Sequence, residues 1–104
     1  MVKVKIESSN EVITRIVISG HAGYDEKGKD LVCAAVSSIA VGTLNALDEL
    51  TKDDCELILT DDQVMIIVKK NEHDSQMIIQ ALIIQIKTLQ ASHPNYLKII
   101  QTEV

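Results

Sequence analysis

Aromatic rings are nearly missing from this sequence. Its 104 residues include no Phe and no Trp, and only two Tyr, Tyr24 and Tyr96. A chain that is 46% hydrophobic must therefore build its core from Val, Ile and Leu. The same shortage removes the ring faces on which single-stranded bases stack. Positive charge is also short: 10 Lys and Arg stand against 15 Asp and Glu, for a net charge of -5. Binding to a phosphate backbone rests on clustered cations, so nucleic acid is excluded as the expected partner. An acidic surface suits a basic peptide or protein instead. Cysteine appears only twice, as Cys33 and Cys55. One bridge at most is available, and an aliphatic core of this size does not need it, which points to a reducing, cytoplasmic setting. No N-terminal apolar run reads as a signal peptide, and the greasiest stretch, Met77 to Ile86, is far shorter than a bilayer span. We expect no membrane segment, and one domain over residues 1–104.

Apolar alternation then places the elements. Val2, Val4 and Ile6 alternate with Lys3, Lys5 and Glu7, as in a half-buried strand. Ser8 to Glu11 reads as a turn and Val12 to Ser19 as the returning strand. Gly20 to Lys29 gathers three of the four glycines among charged residues and has no apolar period, so a loop is expected there. Val32, Val36, Ile39, Thr43 and Leu47 recur at helical spacing and predict a helix from about Leu31 to Leu50, with Asp30 at the N-cap position. Cys55 to Thr60 and Gln63 to Lys70 form a second hairpin around Asp61-Asp62. A second helix is expected from about Ser75 to Ala91, stopped by His93-Pro94, and a last strand from Tyr96 to Thr102. The fold class is α+β in the order β-β-α-β-β-α-β, a mixed or antiparallel sheet with two helices packed against it. The second helix is apolar around nearly its whole girth, which predicts that one side meets the sheet and another a second subunit, giving a homodimer.

The chemistry concentrates between Gly20 and Ser38. His21 follows the end of a strand, and Cys33 falls in what should be the first turn of the next helix. A thiol of ordinary pKa is mostly protonated at neutral pH and a weak nucleophile. The free N–H groups and positive end of a helix N-terminus favour the thiolate, and a nearby imidazole can take the thiol proton and later return it to a leaving amine. The backbone N–H groups of Cys33 and Ala34 are candidate oxyanion donors. Asp30 either orients His21 or only caps the helix. Ser37, one turn beyond Cys33, either touches the thiol or imidazole through its hydroxyl or is simply small enough for close packing. A buried inert thiol near a helix start remains the plain alternative. Cys55 reads as structural, and His73 and His93 as turn and surface residues. No close-spaced Cys or His pair suggests zinc, so neither metal nor cofactor is expected.

Gly20-His21-Ala22, a short polar loop, and then Asp30-Leu31-Val32-Cys33-Ala34-Ala35-Val36-Ser37 resemble the motif of the ribosomal-processing cysteine protease (Prp) family. The motif spans less than a fifth of the chain, while length and element order fit along all of it. The resemblance implies a homodimeric cysteine endopeptidase, free of metal and cofactor. Its substrate would be a ribosomal protein precursor, large-subunit protein twenty-seven, cut after a pair of aromatic residues to remove an N-terminal extension. It further implies Cys33 as nucleophile, His21 as general base, Asp30 and Ser37 as supporting residues, and a substrate-gating loop containing Gly23, Tyr24 and Gly28. Two other readings are a non-catalytic dimeric binding module or assembly factor for a basic ribosomal protein, and a redox-sensing thiol, for which Cys33 has no evident resolving partner.

Overall fold

A computed structural model of the chain describes residues 1–20 and 27–104, with backbone only at 27–30. Two strands, β1 (Val2–Ser9) and β2 (Val12–Ser19), lead into the helix α1 (Lys27–Leu50). A second pair, β3 (Cys55–Leu59) and β4 (Gln63–Val68), precedes α2 (His73–Ser92) and the last strand β5 (Leu97–Glu103). The expected order is thus found. The strands form one sheet in the order β3-β4-β2-β1-β5. Both hairpins and the central β2–β4 pair are antiparallel, and β5 runs parallel to β1, so the sheet is mixed.

One face of the sheet is covered. Val2, Val4, Ile6, Ile16, Ile18, Val64, Ile66 and Leu97 are buried, while Lys3 and Lys5 of the opposite face are exposed. Onto the buried face α1 lays Val32, Val36, Ala40, Leu44 and Leu47, and α2 lays Ile79, Leu82, Ile83 and Ile86. The core is aliphatic throughout, as the missing rings require. A single Ile→Ala change inside such a core costs about 2–5 kcal/mol, the transfer energy plus the cavity left behind. The apolar stretch Leu31–Leu50 is long enough to cross a bilayer by length and composition. The expectation that the greasiest segment is Met77 to Ile86 is corrected accordingly. The stripe that α1 buries on the sheet gives that apolar length a use within the fold.

Strand β2 is the spine of the sheet, and its register contains a bulge. Glu7 pairs with Arg15 but Ser8 pairs with Ile13, which leaves Thr14 as the extra residue. The insertion turns Ile13 and Ile16, three positions apart, to the same buried face, which an uninterrupted period of two forbids. Thr14 donates its hydroxyl to the Glu7 carbonyl at 3.2 Å. The turn between β1 and β2 puts Asn10 and Glu11 at positive φ, 51 and 67, as tight hairpins require. The Glu103 carboxylate holds this turn, accepting the Asn10 N–H at 2.8 Å and the Ser8 hydroxyl at 2.9 Å.

At the Ile13 end β2 continues past its pairing with β4, whose register reaches only Arg15 and Ile67. The buried side chain of Gln76, in the first turns of α2, fills the place of a strand neighbour. Its Oε1 accepts the Ile13 N–H at 3.0 Å, and its Nε2 donates to the Ile13 carbonyl at 2.8 Å. Both backbone groups would otherwise be buried without partners.

Candidate active site

The opposite end of β2 carries the cysteine. Gly20 follows the strand with φ at +79, a conformation that side chains rarely adopt. Space forbids one as well, because an added methyl would stand 2.5 Å from the Met1 carbonyl oxygen. Glycine is needed here for both reasons. Strand β1 holds Met1 in place through the bond from the Val2 N–H to the Tyr96 carbonyl at 3.0 Å. From α1, Cys33 points at this strand end. It is 4% exposed, and its Sγ donates to the Gly20 carbonyl at 3.7 Å. The contact joins two residues 13 positions apart across the stretch that the motif spans.

Helix α1 begins at Lys27, four residues before the expected start, and four readings change. Asp30 lies inside the helix and is not its N-cap. Cys33 is the seventh helical residue and falls in the second turn, beyond the first turn, where the dipole acts most strongly. The backbone N–H groups of Cys33 and Ala34 lie past the four that a helix leaves without an internal partner. They are therefore engaged in the ladder, and the expectation that they serve as oxyanion donors is corrected. Gly28 likewise belongs to the helix and not to a gating loop. Glycine in a helix costs about 1 kcal/mol relative to alanine, a cost that the buried turns further along can carry. His21, Gly23 and Tyr24 lie outside the described residues. Ser37 is half-buried one turn after Cys33, while Ala34 and Ser38 are exposed.

Two exposed apolar residues close in the chain to Cys33 or packed by backbone against Gly20 escaped the sequence reading. Leu31, two positions before Cys33, is 63% exposed, and Met1, against Gly20, is 52% exposed. Leu31 falls out of the buried series Val32, Val36, Leu47, and that mismatch was its only signal.

Cys55 is buried as well. Burial pushes its thiol above the ordinary range, and the neighbouring Asp54 carboxylate adds to the shift. Among the described residues, no group of three His, Cys, Asp or Glu could hold a metal ion. Asp53, paired with Lys69 at 2.7 Å, is held below the usual carboxylate range by that bond and charge. Both groups lie far along the chain from Cys33.

The chain thus forms a mixed five-stranded sheet covered on one face by two helices, with a cysteine of the first helix at the end of the central strand. The family model for cysteine protease Prp matches residues 1–98, and the chain belongs to that family. It is accordingly a cysteine protease of the ribosomal-processing kind. The ribosomal processing cysteine protease Prp of Staphylococcus aureus (strain Mu50 / ATCC 700699) is 27% identical over 97 residues, covering 89% of this chain and 92% of that protein. A crystal structure of the essential ribosomal processing protease Prp from S. aureus in complex with a substrate peptide superposes with a TM-score of 0.91. At 24% identity it covers 98% of this chain and all of that one, and attests the fold. A second S. aureus structure, with a covalently linked product peptide, gives a TM-score of 0.86 at 26% identity over 98% of this chain and 100% of that one.

Proposed function

We propose that this chain removes the N-terminal extension of large-subunit ribosomal protein twenty-seven, with Cys33 as nucleophile and His21 as general base. The observation that carries the reading is the meeting of Cys33 Sγ with the Gly20 carbonyl at 3.7 Å. The residue that follows Gly20 in the chain is His21, so a base at that position starts one peptide bond from the atom the thiol touches. Attack by the sulfur on the scissile carbonyl forms a thioester and expels the amine, to which the imidazolium returns its proton. Water then releases the acid. The product peptide held covalently by the S. aureus relative is consistent with a bond formed in this way. Exposed Leu31 and Met1 offer aliphatic surface to the aromatic pair before the cleavage point. The net charge of -5 suits a basic ribosomal protein.

The same reading places the enzyme in the cytoplasm as a homodimer. Met77 and Ile84, 54% and 64% exposed on the outer side of α2, support a covering by a second copy, which sedimentation or gel filtration would test. The binding-module reading draws on one observation, the burial of Cys33 against a carbonyl. A peptide spanning the extension junction separates the two. Cys33→Ala and Cys33→Ser should bind it without turnover, and His21→Ala should slow cleavage. Turnover that persists in Cys33→Ala removes the nucleophile assignment and leaves the binding module.

A further inference from the structure

The bond between Cys33 and Gly20 has a direction. The carbonyl oxygen can only accept, so the sulfur must carry its proton to make it. Once the proton leaves, the bond is gone, and an anionic sulfur faces the negative end of a carbonyl dipole. The arrangement is therefore one that the thiol holds and the thiolate cannot keep. We propose that Gly20 is a positioning residue that stores the Cys33 proton in the resting enzyme, and that turning its carbonyl aside accompanies activation of the sulfur. The proposal rests on the reading of Cys33 as nucleophile.

Three features of the strand end fit this role. Glycine crosses between backbone regions that other residues enter only at a cost, so its carbonyl can rotate cheaply. A thiol is a weak donor, so the contact can be broken easily. The Met1 carbonyl occupies the space where a side chain at position 20 would sit, so no other residue can present the oxygen in this way. In the step itself, the S–H bond breaks, its electron pair stays on sulfur, and the proton passes to the imidazole nitrogen of the base. The sulfur is then free to bond to the substrate carbonyl carbon.

Infrared spectroscopy reads that proton directly. In a Cys55→Ala protein Cys33 is the sole thiol, and its S–H stretching band should appear at neutral pH, shifted to lower frequency than that of a free alkanethiol in hydrocarbon solvent. A band at the free position, or no S–H band, overturns the proposal. The second measurement uses Gly20→Ala, in which the strand end must shift away from Met1 and carry the carbonyl off the sulfur. Iodoacetamide labelling of Cys33 in the peptide-free protein should rise about fivefold, the factor expected for losing one net hydrogen bond. Turnover of the junction peptide should fall by about tenfold or more as the sulfur loses its placement. Unchanged labelling and turnover in a folded Gly20→Ala protein also overturn it. Cys55 reports folding, since global opening speeds its labelling too; in that case the infrared band decides alone. The band reports the Cys33 proton whether or not that sulfur attacks a substrate, whereas cleavage by Cys33→Ala bears only on the catalytic reading, so the two can fail separately.

Discussion

Strand β2 is held at both ends by a side chain from a helix, and the two attachments could hardly differ more. At Ile13 the amide of Gln76 makes two bonds, at 3.0 and 2.8 Å, from a buried position in α2. At Gly20 the thiol of Cys33 makes one weak bond, at 3.7 Å, from α1. The first end is paired as completely as a backbone in a sheet and has nothing left to offer a substrate. The second is held by a contact that the proposed chemistry would have to break. On the proposed reading, permanence and reactivity fall at opposite ends of one strand.

Substitutions should separate the two ends. The largest effect is expected for Cys33→Ala, which should lower turnover of the junction peptide by at least about four orders of magnitude, the scale of removing a covalent nucleophile. Its unfolding midpoint in urea should move little by comparison; a collapse in stability would mean that the thiol serves the fold. Gln76→Ala should do the reverse. It strands a buried donor and a buried acceptor, and roughly 2–5 kcal/mol of unfolding free energy should be lost, a large share of a small domain's total. Turnover measured where the variant is still folded should stay within about threefold; a deeper loss would show that the Ile13 end takes part in catalysis. Leu31→Ser should raise KM about tenfold with kcat nearly unchanged, as expected when an apolar contact made equally in ground and transition states is removed. An unaltered KM would remove Leu31 from the substrate surface.

The smallest expected effect is at Cys55. Its thiol is raised first by burial and second by Asp54, so the folded protein keeps this proton longer than the unfolded chain does. Stability from this group is present below the unfolded thiol pKa, near 8.5, and declines as pH climbs from there through the folded value. Asp54→Asn should shrink that alkaline decline without abolishing it, because burial remains. Urea titrations between pH 7 and 10 would show it, and an alkaline slope identical in both proteins would contradict the carboxylate's part.

Alternation and helical spacing were enough to read the sequence of elements, and the observed bounds of β2, Val12–Ser19, match those expected. The start of α1 was missed because Lys27 to Asp30 carry no apolar period and include a glycine. The features that set the register of the sheet were harder to see. A bulge at Thr14 and a lone Gln reaching from α2 to Ile13 leave no periodic trace. Nor does alternation reveal which strands are neighbours, so the parallel partnership of β1 and β5 leaves no local trace in the sequence. At the site, the motif singled out Cys33, yet its contact with the Gly20 carbonyl depends on a backbone angle. Leu31 was passed over because it lies off the helix's apolar stripe.

The pairing of β1 with β5 has a consequence for how the molecule assembles. Val2 aligns with Leu97 and Ser8 with Glu103, so the partners lie far apart in the chain and β1 is synthesised long before this edge can be covered. Contacts between segments so distant in the chain form slowly, and an unpaired strand edge invites other chains in the meantime. Lys3 and Lys5 on the opposite face give the waiting strand a charge that discourages such company, a protection that matters most on the ribosome.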